Sequence, residues 1–253
     1  MSKKFKLNNY RSRHGLSTFR RQQGLSLIEL MISLVVGLIL VAAVSNMYVS
    51  NLRSARFVEG LQSIQENGRY AVSVLQRGLR LAGFSPLEGS AGQIEAFKFN
   101  DIAAGTLAIR SYQGFDCNGM ATDTSDGLAV NTYALDTTKN ELTCTGNQVG
   151  SSAMPIVEGV ERFRVLYGVD EDGNPDTCEP QRYIPFDSTL KSSDVVALRF
   201  ALLINSGQQI RTRQRSETFV LLDETFVGPN DRLVREVFSG TVLLRNNISC
   251  SNI

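Results

Sequence analysis

The sequence predicts an α+β chain, with one long N-terminal helix packed on an antiparallel β-sheet domain. Three observations predict it. Residues 30–52 run for 23 positions without a charged side chain. From Phe57 to Ala82, apolar or small residues recur at helical spacing. Beyond residue 85 the pattern changes to short alternating or apolar runs separated by turn formers.

The segment before the helix is basic. Lys3, Lys4, Lys6, Arg11, Arg13, Arg20 and Arg21 precede Leu25, and no acidic residue does. Taking these seven from the 26 basic residues leaves 19 against 25 acidic ones, a net charge of −6 for the remainder. A basic head followed by an acidic body argues against nucleic-acid binding by the body, because phosphate contacts need clustered Lys and Arg. Basic residues ahead of an apolar run fit a segment held on the cytoplasmic side of a membrane.

The apolar run is long enough to cross that membrane. Its 23 residues give roughly 35 Å of helix, against about 30 Å of hydrocarbon. The h-region of a secretory signal is shorter, and no A-x-A-like cleavage site follows this run. The segment is therefore expected to remain as a single-pass anchor.

Glu29 stands at its start, where a carboxylate at bilayer depth costs at least ~2.5–3.5 kcal/mol. Near the interface the cost falls, and the side chain can reach back to water. The other reading is a partner. A cut after Gly24 would give Leu25 an α-amino group four residues before Glu29, on the same chain or on a neighbouring copy. A carboxylate in the first turn also complements the helix macrodipole. A paired charge in a helix bundle is much less costly than an unpaired one.

The helix is expected to continue past Arg53 and Arg56. Phe57, Leu61, Ile64, Gly68, Ala71, Leu75, Leu79 and Ala82 form one stripe, and Gly83 and Pro86 supply stop signals. Leu25 to Ala82 is 58 residues, or about 87 Å of helix. Gly60, Gly68 and Gly78 weaken this half by roughly 1 kcal/mol each relative to Ala. Close packing against a sheet or a bend would account for Gly68 on the apolar face. Gly37 permits a bend or close helix contact within the apolar run.

The body, 85–253, reads as strands and turns. Phe97 and Phe99 alternate in "EAFKFN", and "GTLAIRSY" is a second strand. "LAVNTYAL" and "NELTC" form a hairpin about the polar turn 136–140. "VERFRVLYGV" puts Phe163, Val165, Tyr167 and Val169 on one face. "DVVALRFALLI" is apolar nearly throughout and reads as a buried central strand. "TFVLLD" and "REVFSGTVLLRN" complete the set.

Four cysteines, Cys117, Cys144, Cys178 and Cys250, lie in the body without C-x-x-C spacing. An even count beyond a membrane segment fits two disulfides in an oxidising compartment, against four free thiols. The favoured pairing is Cys117–Cys144, flanking the hairpin, with Cys178–Cys250 tying down the C-terminus. The loop "VDEDGNPDTC" gathers Asp170, Glu171, Asp172 and Asp176. Asp170, Asp172 and Asp176 are weak calcium candidates, because the EF-hand spacing is absent and Pro175 interrupts. A solvated turn is the better reading.

Enzyme chemistry is not expected. His14, the one histidine, precedes Gly24, and no P-loop or Rossmann glycine pattern occurs. No other metal site and no cofactor is expected. A bitopic periplasmic enzyme is the contrary hypothesis.

"GLSLIELM", Gly24–Met31, resembles the processing site of type IV pilins and type II secretion pseudopilins. In that pattern a glycine precedes the cut, a hydrophobic residue begins the mature chain and glutamate is its fifth residue. Leu25 replaces the commoner phenylalanine. The resemblance implies cleavage after Gly24 by a prepilin peptidase, N-methylation of Leu25 and an assembly role for Glu29. It also implies the pilin fold, with a leader at 1–24, a helix over 25–84 that spans the membrane to about residue 52, and a globular domain over 85–253.

The blocks at 66–84, 157–173 and 232–247 resemble PilW-type minor pilins of type IV pili. The middle, 85–156, and the ending "ISCSNI" are less recognisable. For that subfamily the implied role is non-catalytic. The protein would join other minor pilins and the major pilin, prime assembly on the inner-membrane platform, and sit at the pilus tip. In several systems it would carry a large tip adhesin. The pilus would serve twitching motility, attachment and, in some systems, DNA uptake. The body would lie in the periplasm before assembly and at the cell surface afterwards. A minor pseudopilin of a type II secretion system is the alternative.

Overall fold

One α-helix, α1, occupies Leu27–Leu81 in the computed structural model, whose described residues are 24, 26–86, 94–97, 105–122, 127–172 and 178–246. The first helical hydrogen bond runs from the Leu30 N–H to the Ser26 carbonyl at 3.1 Å. The chain divides into two compact units, residues 1–50 and 51–253.

In the first unit the described helical residues are almost all exposed. The most apolar 18-residue stretch of α1 has a mean hydropathy of 2.8, and none of it is buried. By length and composition this helix can cross a membrane.

The second unit holds the rest of α1 and ten strands among the described residues: β1 Leu107–Tyr112, β2 Leu128–Asp136, β3 Glu141–Thr145, β4 Met154–Glu158, β5 Val160–Val169, β6 Arg182–Ile184, β7 Val195–Asn205, β8 Thr218–Leu221, β9 Glu224–Val227 and β10 Arg235–Leu243. They form two four-stranded antiparallel sheets, ordered β1-β2-β3-β4 and β10-β7-β5-β6, and a β8–β9 hairpin. The expected antiparallel β-sheet domain is thus present, divided between these sheets. Short local runs predict strands, but which runs share a ladder depends on partners distant in sequence.

Ile64, Ala71, Leu75, Leu79 and Ala82 are fully buried, as the stripe predicts. Its first two positions depart from expectation. Phe57 is 40% exposed and Leu61 is half-buried, while Gly60 is buried against Ile210. The helix is unbroken at Gly68, so packing rather than bending explains that residue. A Cβ there would fall 2.3 Å from the Phe238 ring of β10. At Gly78 it would fall 2.8 Å from the Tyr133 hydroxyl of β2. The two glycines let the helix approach each sheet.

The helix ends where Gly83 takes φ 75° and its N–H donates to the Arg110 carbonyl of β1 at 2.9 Å. Asn246 Nδ2 donates to the terminal Arg80 carbonyl at 3.0 Å, satisfying an acceptor that the helix leaves open.

Strand β7 is central to its sheet, as its apolar run predicts. Leu198, Phe200, Leu202 and Ile204 enter the main core with Leu75, Leu79, Tyr133 and Tyr167. Ala201 and Leu203 lie on the opposite face, in a second cluster with Leu221, Phe219 and Phe226 of the β8–β9 hairpin. Two-sided burial removes the polar alternation of a half-exposed strand. Arg164 of β5 fastens the hairpin by two hydrogen bonds to the Asp223 carboxylate, at 2.8 and 2.7 Å.

The β2–β3 hairpin forms at the expected turn. Asp136 Oδ1 accepts from the N–H groups of Thr138 and Lys139, and Asn140 takes φ 57°. The expected "EAFKFN" strand is different. Residues 94–97 are not in a strand, and Phe99 lies outside the described residues. Phe97 is nevertheless fully buried, and its N–H donates to Ser192 Oγ at 3.0 Å. A side-chain acceptor takes the place of a ladder.

Candidate functional site

The processing and assembly residues lie at the start of α1. Gly24 is exposed and precedes the helix; a Cβ built on it meets nothing within 4 Å. Leu25 lies outside the described residues, as does the rest of the leader, 1–23. Glu29 is in the first helical turn, where a negative charge meets the positive end of the macrodipole. Ser33 Oγ donates to the Glu29 backbone carbonyl at 2.7 Å, leaving the carboxylate uninvolved in that bond. Leu27, Ile28, Leu30, Met31 and Ile32 around it are 59–75% exposed. The arrangement is an acid displayed on an uncovered apolar helix. It can accept a cation when such helices pack together.

Cys117 and Cys144 are joined by a disulfide, closing a loop with a sequence separation of 27. This is the expected pair. Cys178 is also disulfide-bonded, whereas Cys250 lies outside the described residues.

The loop carrying Cys117 is held by residues that the sequence reading missed. Asp116 is buried and accepts from the N–H groups of Asn118 and Met120 at 2.9 and 3.0 Å. Its other oxygen accepts from Ser151 Oγ at 2.5 Å. Burial pushes the Asp116 carboxyl up, but hydrogen bonds from Ser151, Met120, Asn118 and Gln148 hold it below its ordinary value. A Cβ at Gly146 would fall 1.9 Å from Asp116 Oδ2. A lone Asp-Cys-Asn turn in sequence gives no hint of this hub, because its donors come from residues up to 35 positions away.

In the acidic loop, Asp170 is buried beyond the end of β5, and its N–H donates to the Asp194 carbonyl at 2.8 Å. Glu171 pairs with Arg182. Asp172 is described, and Asp176 lies outside the described residues. The three calcium candidates thus do not all fall within the described residues, and among the described residues no group of three His, Cys, Asp or Glu side chains that could hold a metal occurs.

A second polar centre also escaped the sequence reading. The Arg235 side chain is only 4% exposed. It donates to Glu161 Oε2 at 2.7 Å and to both oxygens of Asp231 at 2.8 and 2.6 Å. Asn205 Nδ2 satisfies the other Glu161 oxygen at 2.8 Å. The Arg235 hydrogen bonds hold Asp231 below its ordinary value and raise Arg235. This centre ties β5, β7 and β10 together.

The family model described as Type IV Pilus-assembly protein W matches residues 126–246. The prokaryotic N-terminal methylation motif matches residues 19–45, bracketing Gly24 and Glu29. No curated protein matches the chain significantly. Among solved structures, a type IV-like pilin from Thermus thermophilus is similar over 72% of this chain and 97% of its own. The identity is 17% and the TM-score 0.42. The methylation motif lies at the start of a helix long and apolar enough to cross a membrane. The strand-rich body is thus similar to the pilus-assembly family over residues 126–246, and the start of the chain carries the methylation motif ahead of it.

Proposed function

We propose that this chain is a minor pilin of the PilW type that takes part in priming type IV pilus assembly at the inner membrane and then forms part of the pilus tip complex. The observation that carries the reading is Glu29. It is the one acidic residue before Glu59, and it stands in the first turn of a helix whose apolar surface is uncovered.

Prepilin peptidase cuts after Gly24 and exposes the α-amino group of Leu25, which is then N-methylated. Residues 25–52 hold the subunit in the membrane with its body in the periplasm. As the helix leaves lipid for a bundle of other minor and major pilin helices, Glu29 pairs with a neighbouring N-terminal amine. A buried charge left without its partner costs about 3–5 kcal/mol, so pairing fixes the axial register. The sheet domains then select which subunit docks on which, with a large adhesin as a candidate passenger at the tip. The assembled fibre serves motility and attachment.

The test is Glu29→Val in the full-length protein. Removing the carboxylate lowers the cost of membrane residence, so the variant is expected at normal or higher level in the membrane fraction. It is expected to be depleted at least ~10-fold from sheared pili, the loss that 1.4 kcal/mol produces. Undiminished recovery in pili would remove Glu29 from the mechanism.

A further inference from the structure

We infer that the C-terminal half of β10 is a docking edge for an extended, acidic segment of another pilus subunit, which adds to the sheet as an antiparallel strand. The inference rests on the pilus reading above. It starts from how the outer strands of the two sheets are treated. An open strand edge pairs readily with foreign chains, and proteins ordinarily cover, shorten or interrupt it.

Three outer strands here are managed in that way. β1 is covered: its Arg110 and Tyr112 N–H groups donate to the carbonyls of Ala96 and Phe84 at 2.9 and 2.8 Å. β4 contains Pro155, and its pairing with β3 shifts register at Leu142/Thr143. β6 has three residues. The fourth, β10, has nine residues and neither proline nor a register shift.

The register says which groups are free. The Leu244 N–H bonds the Val196 carbonyl, and the Val234 carbonyl accepts from the Ser206 N–H. Even-numbered residues of β10 therefore face β7, and Ser239, Thr241 and Leu243 turn their backbone N–H and C=O groups outward. Among the described residues nothing hydrogen-bonds these groups.

The adjoining surface specifies the occupant. A groove of about 580 Å³ runs beside this half of β10, lined by Gln76, Arg80, Thr241, Val242, Leu243 and Arg245. Arg77 and Arg80 line its continuation along α1. Arg77, Arg80 and Arg245 make no ion pair with a described residue. Among the described residues the groove thus offers cations and backbone groups but no carboxylate, so the incoming strand supplies the acids. A second copy of β10 would bring one carboxylate, Glu236, which already accepts from Gln65 at 2.6 Å. A different subunit is the better complement.

The test uses full-length protein in assembled pili, with a photo-crosslinking amino acid at Leu243 and mass spectrometry of the joined peptides. The expected product is an extended, carboxylate-bearing segment of another pilus subunit. Thr241→Pro deletes one outward N–H without touching the β7 ladder and is tolerated at an edge. It should lower cross-link yield about tenfold with no change in melting temperature. Arg80→Glu with Arg245→Glu should do the same, and basic substitutions in the captured segment should restore it. Cross-links only to a second copy, or to residues 247–253 of the same chain, would overturn the inference, as would an unchanged yield with Thr241→Pro. Protein that reaches pili without any such product defeats the docking edge alone; protein absent from pili defeats the pilus reading together with it.

Discussion

Glu29 and Arg235 are charges in apolar settings, and they meet different ends. Glu29 is displayed on an exposed helix, and its partner in the proposed function is a neighbouring N-terminal amine. Arg235 is satisfied internally by Glu161 and Asp231. Arg235→Ala should destabilise the body by about 3–5 kcal/mol, because it leaves two carboxylates without their cation. A denaturation midpoint equal to wild type would contradict this. The acid limb of stability follows from the same chemistry. Hydrogen bonds from Arg235, Arg211 and Arg164 hold Asp231, Glu217 and Asp223 respectively below their ordinary values. Each group contributes stability that is complete above its unfolded pKa, about 4, and is lost as pH falls through the folded value. The midpoint should therefore be level near neutrality and decline below about pH 4. A midpoint that held level through that range would show that these pairs do not stabilise the fold.

At the scale of the element, α1 is shaped by what it omits. Gly68 sits where a methyl group would strike the Phe238 ring. Gly68→Ala gains up to about 1 kcal/mol of helix propensity, but overpacking against a ring costs typically 1–3 kcal/mol. The melting temperature should fall, and Phe238→Leu in the same chain should recover part of it. A more stable single variant would mean that the helix–sheet contact is loose. The β2–β3 hairpin is stapled by Cys117–Cys144. The double variant Cys117→Ser, Cys144→Ser should lose about 3.5 kcal/mol, the loop-closure value for a span of this order. An unchanged midpoint would assign the stability of this corner to the Asp116 hydrogen bonds instead.

For the whole molecule, what the sequence made legible was local. The helix was legible because its apolar residues repeat every three to four positions over many turns. β7 was legible because an apolar strand has nowhere to be but between two layers. Asp136 and Asn140 announced their hairpin through turn chemistry. β4, β6 and β9 were missed because three to five residues carry too little periodicity. The split into two sheets, the Asp116 hub and the Arg235 centre were missed because each is assembled from residues distant along the chain. Glu29 was legible for the opposite reason: one acid against an uncharged run stands out without any structure. Its proposed role requires the amine that cleavage creates, so the N-terminal peptide of native protein from sheared pili is the most direct test. Mass spectrometry should find the chain beginning at N-methylated Leu25, with residues 25–52 retained. A chain that begins elsewhere, or that has lost this segment, would contradict the account.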